Sequence, residues 1–436
     1  MYDYKSKVID LDKALSLVKD GCNIVTGLGA AEARAFLGSL HTIADKVRNV
    51  RVSTCLSVCD HEYTDPKYSD SFKIESWFYS AKQRQDHSHG NLSFIPNHLH
   101  LAASKRLWRA HPDIVVVNAS MPDKHGFMSV GLSNVYEKAM IEAADLVIVE
   151  VNPHVPRVFG DCEVHVSQVD YILETDYELP EIPDILPNDK DRAIGRLVAD
   201  YVNDGDCIQL GIGGIPNAFA DALMNKRDLG IHTEMLTTGM VKLIEEGVVN
   251  GSRKQRNKGK VVAAFALGNK KLYDFMDDNI GIEIRNCAEV NDPYVIAQND
   301  NQISVNTTLE VDLTGQCCSE SLGSMQFSGT GGQADTAIGA QMSKNGKSFI
   351  VLYSTAMVKN HHTGEREEKS KIVCQLKAGA AVSLSRNDID FLATEYGVVA
   401  LRGTNIRERV EKIISVAHPK FREQLRAEAR KHRLIF

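Results

Sequence analysis

Two segments of the sequence resemble each other, and this repeat limits the possible folds more than any other feature. DGCNIVTGLGAAEARAFL begins at Asp20, and DGDCIQLGIGGIPNAFAD begins at Asp204. Aligned without gaps, they share an Asp-Gly pair, an isoleucine and both glycines of a G-x-G turn. Each is preceded and followed by a helical pattern, so helix, strand, glycine turn and helix occur twice in the same order. Duplication explains the match, and so does chance similarity between ordinary α/β patterns.

A weaker resemblance follows in each half of the chain. VVVNASMPDKHGF and SVNTTLEVDLTGQ align so that Asp123 matches Asp312, with a glycine three residues later in both. Aspartate bonds its own downstream backbone in such turns, and glycine supplies the positive φ that they need. The two resemblances occur in the same order, which favours duplication.

The segments between these motifs indicate the fold class. DIVVVN, DLVIVEV, KVVAAFAL and SFIVLY are continuous apolar runs, as expected of strands covered on both faces. Residues 174–191 contain three prolines and many acidic residues, a composition typical of a linker. With 436 residues, the chain is longer than one hydrophobic core usually supports. We predict two similar open α/β domains, residues 1–185 and 186–436, with largely parallel sheets and a site at the carboxyl ends of strands.

Composition excludes several classes of function. The formal net charge of -7 leaves no basic surplus for nucleic acid or anionic lipid, so we expect neither as a partner. The first residues lack a signal-peptide pattern, and no apolar run reaches about 18 residues, so we expect a cytoplasmic protein. The nine cysteines are scattered without a CxxC motif, which predicts reduced, mostly buried thiols. The adjacent Cys317 and Cys318 are expected to pack in a strand rather than to react.

Two glycine clusters are candidate ligand sites. LGIGGIP, residues 210–216, ends a strand and starts a helix, where backbone N–H groups favour an anion or a developing oxyanion. A third glycine of the dinucleotide-binding G-x-G-x-x-G motif is missing, which disfavours a nicotinamide dehydrogenase. FSGTGGQAD, residues 327–335, lacks the G-K-[ST] of a P-loop. Tight packing turns remain the alternative interpretation of both clusters.

Histidines concentrate in DHSHGNLSFIPNHLH, which contains His87, His89, His98 and His100. Their spacing does not match a common closed zinc site, so we expect a polar loop near a pocket and predict no metal there. His361 and His362 are expected in a surface loop.

Glu234 is the only carboxylate in LGIHTEM, residues 229–235, and two roles are open to it. Thr233 or Glu234 would complement the N-terminus of the helix predicted in TTGMVKLIEEG. Alternatively, Glu234 is a nucleophile beside the GIGGIP turn. Attack by a carboxylate on a thioester gives a mixed anhydride, which keeps the energy of the thioester available for transfer.

Several motifs in order resemble one enzyme family. GIGGIP, LGIHTEM, NDPYVIAQN, FSGTGGQAD, SRNDIDFLATEYGVVALRG and AHPKFREQL are similar to the acetyl-CoA hydrolase/transferase family of family I CoA-transferases, nearest its 4-hydroxybutyrate CoA-transferase branch. WFYS, MPDKHGF and EVNPHVPRVFGDCEVHVSQVDYILE extend the resemblance over the amino-terminal half.

The resemblance implies an active site in the cleft between the two domains, with acyl-CoA bound there. It makes Glu234 the catalytic residue and assigns substrate and CoA binding to further positions: Gly211, Ile212, Gly213, Gly214, Ile215, Asn291, Gly329, Gly331 and Gly332. It implies no metal and no permanently bound cofactor, since coenzyme A is a substrate and part of a covalent glutamyl thioester.

The implied reaction moves CoA between a short-chain acyl-CoA, such as 4-hydroxybutyryl-CoA or butyryl-CoA, and acetate or another carboxylate. It is a ping-pong reaction through the glutamyl-CoA thioester. Hydrolysis of acetyl-CoA or another short-chain acyl-CoA by the same glutamate is the alternative. The resemblance also implies a homo-oligomer, either a dimer or a tetramer.

Two features depart from the family pattern. Thr336 stands where an aromatic residue usually follows the G-G-Q-x-D segment, and TGLGAAEARAFL, residues 26–37, lacks the usual polar-proline turn. Both are expected to line the acyl pocket or its wall, so they bear on the acid that the enzyme prefers.

Overall fold

The computed structural model describes residues 4–359 and 364–436. The predicted surface loop around His361 and His362 lies outside these ranges. No helix in the described ranges combines the length and the apolar character needed to cross a lipid bilayer.

The amino-terminal half contains a parallel sheet with the order β8-β6-β5-β1-β2-β3-β4. Its strands are β1 (Asn23–Leu28), β2 (Val50–Cys55), β3 (Phe72–Ser76), β4 (Leu92–Phe94), β5 (Ile114–Ala119), β6 (Leu146–Val151) and β8 (Tyr171–Glu174). Residues of β5 are fully buried, as the continuous apolar run predicts. The short strand β7 (Phe159–Gly160) leaves this half and joins the second sheet.

The carboxyl-terminal half contains a sheet with the order β16-β15-β14-β13-β9-β10-β11-β12-β7. Its own strands are β9 (Cys207–Leu210), β10 (Gly230–Leu236), β11 (Val261–Ala266), β12 (Ile282–Ile284), β13 (Gln302–Thr307), β14 (Lys347–Val351), β15 (Phe391–Thr394) and β16 (Gly397–Ala400). All neighbours are parallel except β15 and β16, which form an antiparallel pair at the edge.

The two sheets share one topology. Numbered in chain order, the seven strands of the first sheet have the order 7-6-5-1-2-3-4. The second sheet, numbered from β9, has the same order for its first seven strands and carries one further strand at each edge, β16 and β7. The Asp-Gly turns that precede β1 and β9 also match. Asp20 accepts a hydrogen bond from the backbone N–H of Arg48 at 2.7 Å, and Asp204 accepts one from Arg227 at 2.8 Å. In each half the next glycine donates to the carbonyl of the same arginine at 2.9 Å.

The second pair of similar turns shows the same agreement. Asp123 and Asp312 each accept hydrogen bonds from the backbone N–H groups two and four residues later, at 2.8–3.0 Å. The glycines in these turns have φ of 87° at Gly126 and 95° at Gly315, a region that glycine adopts without strain. Common topology and matching turns favour duplication over chance.

Helices lie on both faces of the sheets, as parallel strands require. In the first half the α-helices are Tyr4–Lys7, Leu11–Leu15, Arg34–Ser39, Ala81–His87, Ala102–Arg109 and Glu137–Ala143. In the second half they are Asp189–Ala199, Gly214–Ala222, Thr238–Glu245, Lys270–Met276, Cys287–Val290, Pro293–Ile296, Gln333–Met342, Ile406–Ser415 and Arg422–Lys431.

Smaller elements complete the two halves. Antiparallel strand pairs are Phe127–Ser129 with Glu163–His165, Ser321–Leu322 with Met325–Gln326, and Thr355–Lys359 with Arg366–Ser370. A separate small sheet combines Cys317–Cys318, Glu310–Asp312 and Ile372–Val373. Short 3₁₀ helices are Gly29–Ala31, Leu40–Ile43, Glu62–Thr64, Pro66–Tyr68, Leu99–Leu101, Val166–Gln168 and Pro419–Phe421.

The two halves pack closely against each other. The largest cluster of buried apolar side chains contains residues of both sheets, and two further clusters each belong to one half. Backbone hydrogen bonds join the halves from Asn134 to Ala264 and from Ala266 to Leu132. The prediction of two α/β domains with largely parallel sheets is confirmed. The predicted linker is irregular only over residues 175–188, because the next helix already begins at Asp189, and the boundary between residues 185 and 186 stays a prediction.

Candidate active site

A cavity of about 670 Å³ opens between the two halves, within the usual size range of small-ligand sites. Residues from the ends of β1, β2, β9 and β10 contribute to its wall. Side chains from the first half include Leu28, Cys55, Leu56, Phe78 and Arg84, and those from the second half include Ile212, Glu234, Phe265, Asn306 and Gln333. The carboxyl ends of both parallel sheets therefore face the same cavity, as expected for α/β folds.

Glu234 lies inside β10 and not at the start of a helix. The following helix, Thr238–Glu245, has Thr237 as its N-cap, and the N-cap forms no side-chain hydrogen bond. Glu234 therefore does not complement this helix from a capping position, and the capping interpretation is wrong. Its side chain is partly exposed to the cavity.

The Glu234 carboxylate is held by two hydrogen-bond donors. Asn291 donates from Nδ2 to Oε2 at 2.6 Å, and the backbone N–H of Gly332 also donates to the carboxylate. Burial raises the pKa of Glu234 to about 7; the hydrogen bond from Asn291 opposes this rise, and the negative charge of Asp335 adds to it. Glu234 is therefore a poorly solvated carboxyl group that titrates near neutral pH.

Asn291 occupies a turn that its sequence explains. It ends the short helix Cys287–Val290, and Asp292 begins the next helix by accepting a hydrogen bond from the backbone N–H of Tyr294 at 2.8 Å. The intervening Asn-Asp-Pro turn buries Asn291 completely. The asparagine assigned by family resemblance thus contacts the glutamate directly.

The second glycine cluster brings the two halves together beside Glu234. A Cβ atom at Gly332 would lie 1.8 Å from Oε2 of Glu234 and 2.1 Å from Nδ2 of Asn291. A Cβ atom at Gly329 would lie 2.3 Å from the carbonyl oxygen of Trp77 in the other half. Gly331 has φ of 55°, in the left-handed region. The cluster therefore needs glycine both for close approach and for backbone conformation.

The first glycine cluster is divided between two pockets. Gly211 and Ile212 line the cavity that contains Glu234. Gly213, Gly214 and Ile215 instead line an adjoining pocket of about 240 Å³. The two pockets share part of their wall, namely Ile212, Thr307, Leu309 and Ser319. The five predicted residues of the first glycine cluster, Gly211 to Ile215, thus line two adjoining pockets, and only Gly211 and Ile212 line the one that contains the glutamate.

Cys55 is the structural counterpart of Glu234 in the first half. The equivalent isoleucines Ile24 and Ile208 pair with Val52 on β2 and with Ile231 on β10, respectively. Val52 and Ile231 are therefore equivalent positions. Three residues further along the two strands lie Cys55 and Glu234. Both line the cavity. Burial raises the pKa of Cys55 well above that of an ordinary thiol, so this thiol is protonated at neutral pH.

Leu99, within the histidine tract, lines the cavity. The tract is not the single polar loop that was predicted, because it includes the end of the helix Ala81–His87 and all of β4. Nδ1 of His100 donates to Oδ1 of Asp335 at 2.8 Å, and Nδ1 of His98 lies 3.8 Å from the same oxygen. Burial lowers the pKa of His100, but the hydrogen bond and charge of Asp335 outweigh it, so the pKa is raised. The negative charge of Asp335 also raises the pKa of Glu234. The contact between His100 and Asp335 therefore couples a residue of the first half to the ionisation of Glu234.

Thr336 lies behind the cavity wall. It is buried on the helix Gln333–Met342 and accepts a hydrogen bond from Asn306, which lines the cavity. Leu28, from the unusual TGLGAAEARAFL segment, lines the cavity directly. Both departures from the family pattern therefore contribute to the pocket or to its support.

Sequence reasoning missed the residues that the first half contributes. Cys55 and Arg84 belong to none of the quoted motifs, and Phe78 belongs to WFYS but was assigned no role in the site. Arg84 is placed by a hydrogen bond to the carbonyl of Phe327 at 3.1 Å. Lys371, which lines the adjoining pocket, follows a charged hairpin and carries no pattern either. Cys317 and Cys318, in contrast, are buried in a two-residue strand as predicted, with free thiols.

Comparison with known proteins identifies the family. Residues 1–182 match the acetyl-CoA hydrolase/transferase N-terminal domain, and residues 268–429 match the C-terminal domain. Succinyl-CoA:cyclohexane-1-carboxylate CoA transferase from Geobacter metallireducens is 42% identical over 98% of this chain and 96% of its own. The 4-hydroxybutyrate coenzyme A transferase of Clostridium kluyveri is 38% identical over 98% of both chains.

A solved structure agrees with these sequence matches over almost the full length. The crystal structure of RipA from Yersinia pestis superimposes with a TM-score of 0.91 and 34% sequence identity. The superposition covers 99% of this chain and 99% of RipA. Matches to both domain models, together with full-length relatives and a full-length structural neighbour, show that the chain belongs to the acetyl-CoA hydrolase/transferase family.

Proposed function

We propose that the protein is a CoA-transferase that moves CoA between a short-chain acyl-CoA and a carboxylate through a covalent glutamyl-CoA thioester on Glu234. The observation that carries the proposal is the partly buried carboxylate of Glu234, which faces a cavity between two domains and accepts hydrogen bonds from Asn291 and Gly332. Relatives named as CoA transferases, at 42% and 38% identity, support the same reaction class.

In the first step, the Glu234 carboxylate attacks the carbonyl carbon of the acyl-CoA. A carbon–oxygen bond forms, the carbon–sulfur bond breaks, and CoA leaves as a thiolate. The product is a mixed anhydride between the acyl group and Glu234. Oε1 is the attacking atom, because Oε2 accepts the hydrogen bond from Asn291.

In the second step, the CoA thiolate attacks the glutamyl carbonyl carbon of the anhydride. The anhydride carbon–oxygen bond breaks, the first carboxylate leaves, and Glu234 carries CoA as a thioester. An incoming carboxylate then attacks this thioester, and both steps run in reverse to give the new acyl-CoA and free Glu234. The protein is therefore a ping-pong enzyme in which CoA is both substrate and part of the intermediate.

Each attack produces an oxyanion that needs hydrogen-bond donors. Nδ2 of Asn291 and the N–H of Gly332 already point at the Glu234 carboxylate, so they serve the oxyanion on the glutamyl carbon. The glycine turn at Gly211 and Ile212 lines the other side of the cavity and serves the oxyanion on the acyl carbon. Gly213 to Ile215, in the adjoining pocket, contact another part of CoA.

Activity is expected to depend on pH through Glu234. The reacting form is the carboxylate, and the pKa of Glu234 is raised to about 7 by burial. With this pKa, kcat/KM for the acyl-CoA should rise about tenfold between pH 6 and pH 8, since it reports the ionisation of the free enzyme. Initial rates across this range provide the measurement. A kcat/KM that is flat over these two pH units would contradict the assignment.

Asn291→Ala is expected to lower kcat by roughly 10²–10³-fold, because it removes a donor to the oxyanion. It also removes the hydrogen bond that lowers the pKa of Glu234, so the pH midpoint of kcat/KM should move upward. Asn299→Ala is the matched control. Asn299 is also fully buried, but its side chain accepts from the backbone of Arg256. An unchanged pH midpoint in Asn291→Ala, or an equal shift in Asn299→Ala, would argue against the proposed role.

The acceptor is identified by direct competition between carboxylates and water. The purified protein is supplied with butyryl-CoA, acetyl-CoA or succinyl-CoA together with acetate, butyrate, 4-hydroxybutyrate or cyclohexane-1-carboxylate. We expect formation of the new acyl-CoA to exceed release of free CoA. Release of free CoA at an equal rate with and without carboxylate would make the protein a hydrolase instead. The cytoplasmic location and the homo-oligomeric state stay predictions.

A further inference from the structure

Three potential metal ligands meet in the amino-terminal half, and none of them lines the cavity that contains Glu234. Glu32 follows the end of β1, and Cys59 and His61 follow the end of β2. A carboxylate oxygen of Glu32, Sγ of Cys59 and a ring nitrogen of His61 all lie within 4.8 Å of one another. Among the residues that the structure describes, these three form the one group of at least three His, Cys, Asp or Glu side chains whose ligand atoms lie this close together.

The cluster contains buried polar atoms that lack partners. Glu32 is 1% exposed and His61 is 5% exposed. Among the residues that the structure describes, neither ring nitrogen of His61 has a hydrogen-bond partner, and neither does Oε2 of Glu32. Nε2 of His61 lies 3.6 Å from Oε2 of Glu32, which is too long for a hydrogen bond. Because buried polar atoms are nearly always paired, these atoms point to a ligand between them.

The surrounding charges call for a cation. Glu150 is another fully buried carboxylate nearby, and it is already satisfied by the N–H of Phe36 at 2.7 Å and the hydroxyl of Tyr177 at 2.7 Å. Oε1 of Glu32 accepts from Thr54 at 3.2 Å, which leaves Oε2 available. Arg34 also acts electrostatically on Cys59, but its guanidinium donates to the carbonyl of Glu178. A divalent cation would balance the Glu32 carboxylate and a Cys59 thiolate.

The donor set selects the metal. Thiolate, imidazole and carboxylate together are ligands of Zn²⁺, whereas Mg²⁺ and Ca²⁺ prefer oxygen donors alone. Zinc–ligand bonds are about 2.0–2.3 Å long. Two ligand atoms that form an edge of a tetrahedral zinc site therefore lie roughly 3.3–3.7 Å apart. The 3.6 Å separation between His61 and Glu32 already fits such an edge. Cys59 is only partly buried, and zinc binding requires its Sγ, now within 4.8 Å of the other two ligand atoms, to approach to the same edge length.

We propose that Glu32, Cys59 and His61 bind one Zn²⁺ ion through a carboxylate oxygen, the thiolate sulfur and a ring nitrogen, with water in the fourth position. Binding releases the thiol proton of Cys59 to solvent. The site is outside the proposed catalytic machinery, so its existence does not depend on the proposed reaction.

Metal binding would anchor a segment of the cavity wall. Leu56, Ser57 and Val58, immediately before Cys59, line the cavity that contains Glu234. Leu56 has φ of 51°, a left-handed conformation that is unusual for leucine and needs support from its surroundings. Zinc bound at Cys59 and His61 supplies this support to residues 56–61. The ion would therefore be structural and would set the shape of the cavity without contacting the reacting atoms.

The test uses Co²⁺ as a spectroscopic probe in the full chain. After treatment with a chelator, the protein is titrated with Co²⁺, and we expect a thiolate-to-cobalt charge-transfer band that saturates at one ion per chain. Zn²⁺ should displace the band. Zn²⁺ should also raise the Tm of the chelated protein, because it binds the folded state.

Matched cysteine variants locate the ion. Cys59→Ala should lose the charge-transfer band and the Tm response to Zn²⁺. Cys374→Ala removes another free cysteine in the other half and should retain both. Glu32→Gln should weaken Co²⁺ binding while keeping the thiolate band at saturation.

Some results would overturn the proposal. Absence of the band in the folded wild-type protein would show that Glu32, Cys59 and His61 do not bind metal. Persistence of the band in Cys59→Ala would place the ion elsewhere. Since these results concern metal binding alone, they are independent of whether Glu234 forms a thioester.

Discussion

Replacing Glu234 by glutamine is expected to lower kcat for CoA transfer by ~10⁴-fold or more, because a neutral amide cannot act as the nucleophile. Glutamine has nearly the same shape, so the position between Asn291 and Gly332 stays filled. The measurement is the rate of new acyl-CoA formation under saturating substrates. Glu245→Gln is the control, since Glu245 is an exposed residue at the end of the helix Thr238–Glu245 and pairs with Lys271 at 2.7 Å. It should leave kcat unchanged.

The same variant separates loss of function from loss of structure. A carboxyl group whose pKa is raised in the folded protein binds a proton more tightly there than in the unfolded chain. Its contribution to stability therefore falls as the pH rises from the ordinary value of 4.5 towards about 7. Glu234→Gln removes this penalty, so its Tm at pH 8 should equal or exceed that of the wild type. A lower Tm together with lost activity would indicate a structural role for Glu234.

Gly332→Ala is expected to produce the second large effect, a loss of about 10²-fold or more in kcat. The added methyl group would occupy space 1.8 Å from Oε2 of Glu234 and 2.1 Å from Nδ2 of Asn291, so the carboxylate must move. The backbone itself accepts alanine, because φ of Gly332 is −103°. Steady-state kinetics and Tm should therefore show a large loss of kcat in a folded protein.

Gly38→Ala provides the comparison for this substitution. Gly38 lies within the helix Arg34–Ser39, and a Cβ atom there would meet no other atom within 4 Å. Alanine favours helices, so this variant should keep full activity and be at least as stable as the wild type. Full activity in Gly332→Ala would show that the approach of Gly332 to Glu234 is unimportant for catalysis.

Local patterns were enough to predict the general architecture. The continuous apolar runs predicted the first and last residues of β5, β6, β11 and β14 to within one or two positions. Such runs are visible because parallel strands are buried on both faces. The repeated Asp-Gly and Asp-x-x-Gly turns correctly indicated two halves with one topology. Turns of this kind depend on hydrogen bonds over a few residues, and such short-range contacts are visible in the sequence.

The role of Glu234 was harder to predict, because it depends on where a strand ends. The sequence allows the helix after β10 to start at residue 234 or at residue 238, and only pairing with β11 decides between them. Asn291 and Gly332 reach the carboxylate from separate segments of the chain. No spacing rule connects these positions, so only the family resemblance brought them together.

The first half of the chain gave the least information about the site. Cys55 became visible only through the strand register, which makes it the counterpart of Glu234. Glu32 follows the end of β1, and Cys59 and His61 follow the end of the neighbouring strand β2, so these residues also meet only through the pairing of the two strands. The histidine tract contributes to the site through His98 and His100, which lie beside Asp335 from the other half of the chain. Residue clusters that form through topology cannot be found by composition along the chain.

Trapping the intermediate tests the central claim most directly. The purified protein is incubated with butyryl-CoA without an acceptor and then treated with borohydride, which reduces a glutamyl thioester to an alcohol. Peptide mass spectrometry should find the modification at Glu234 alone, and Glu234→Gln should show none. An unmodified Glu234 peptide in a preparation that transfers CoA at full rate would contradict the covalent mechanism.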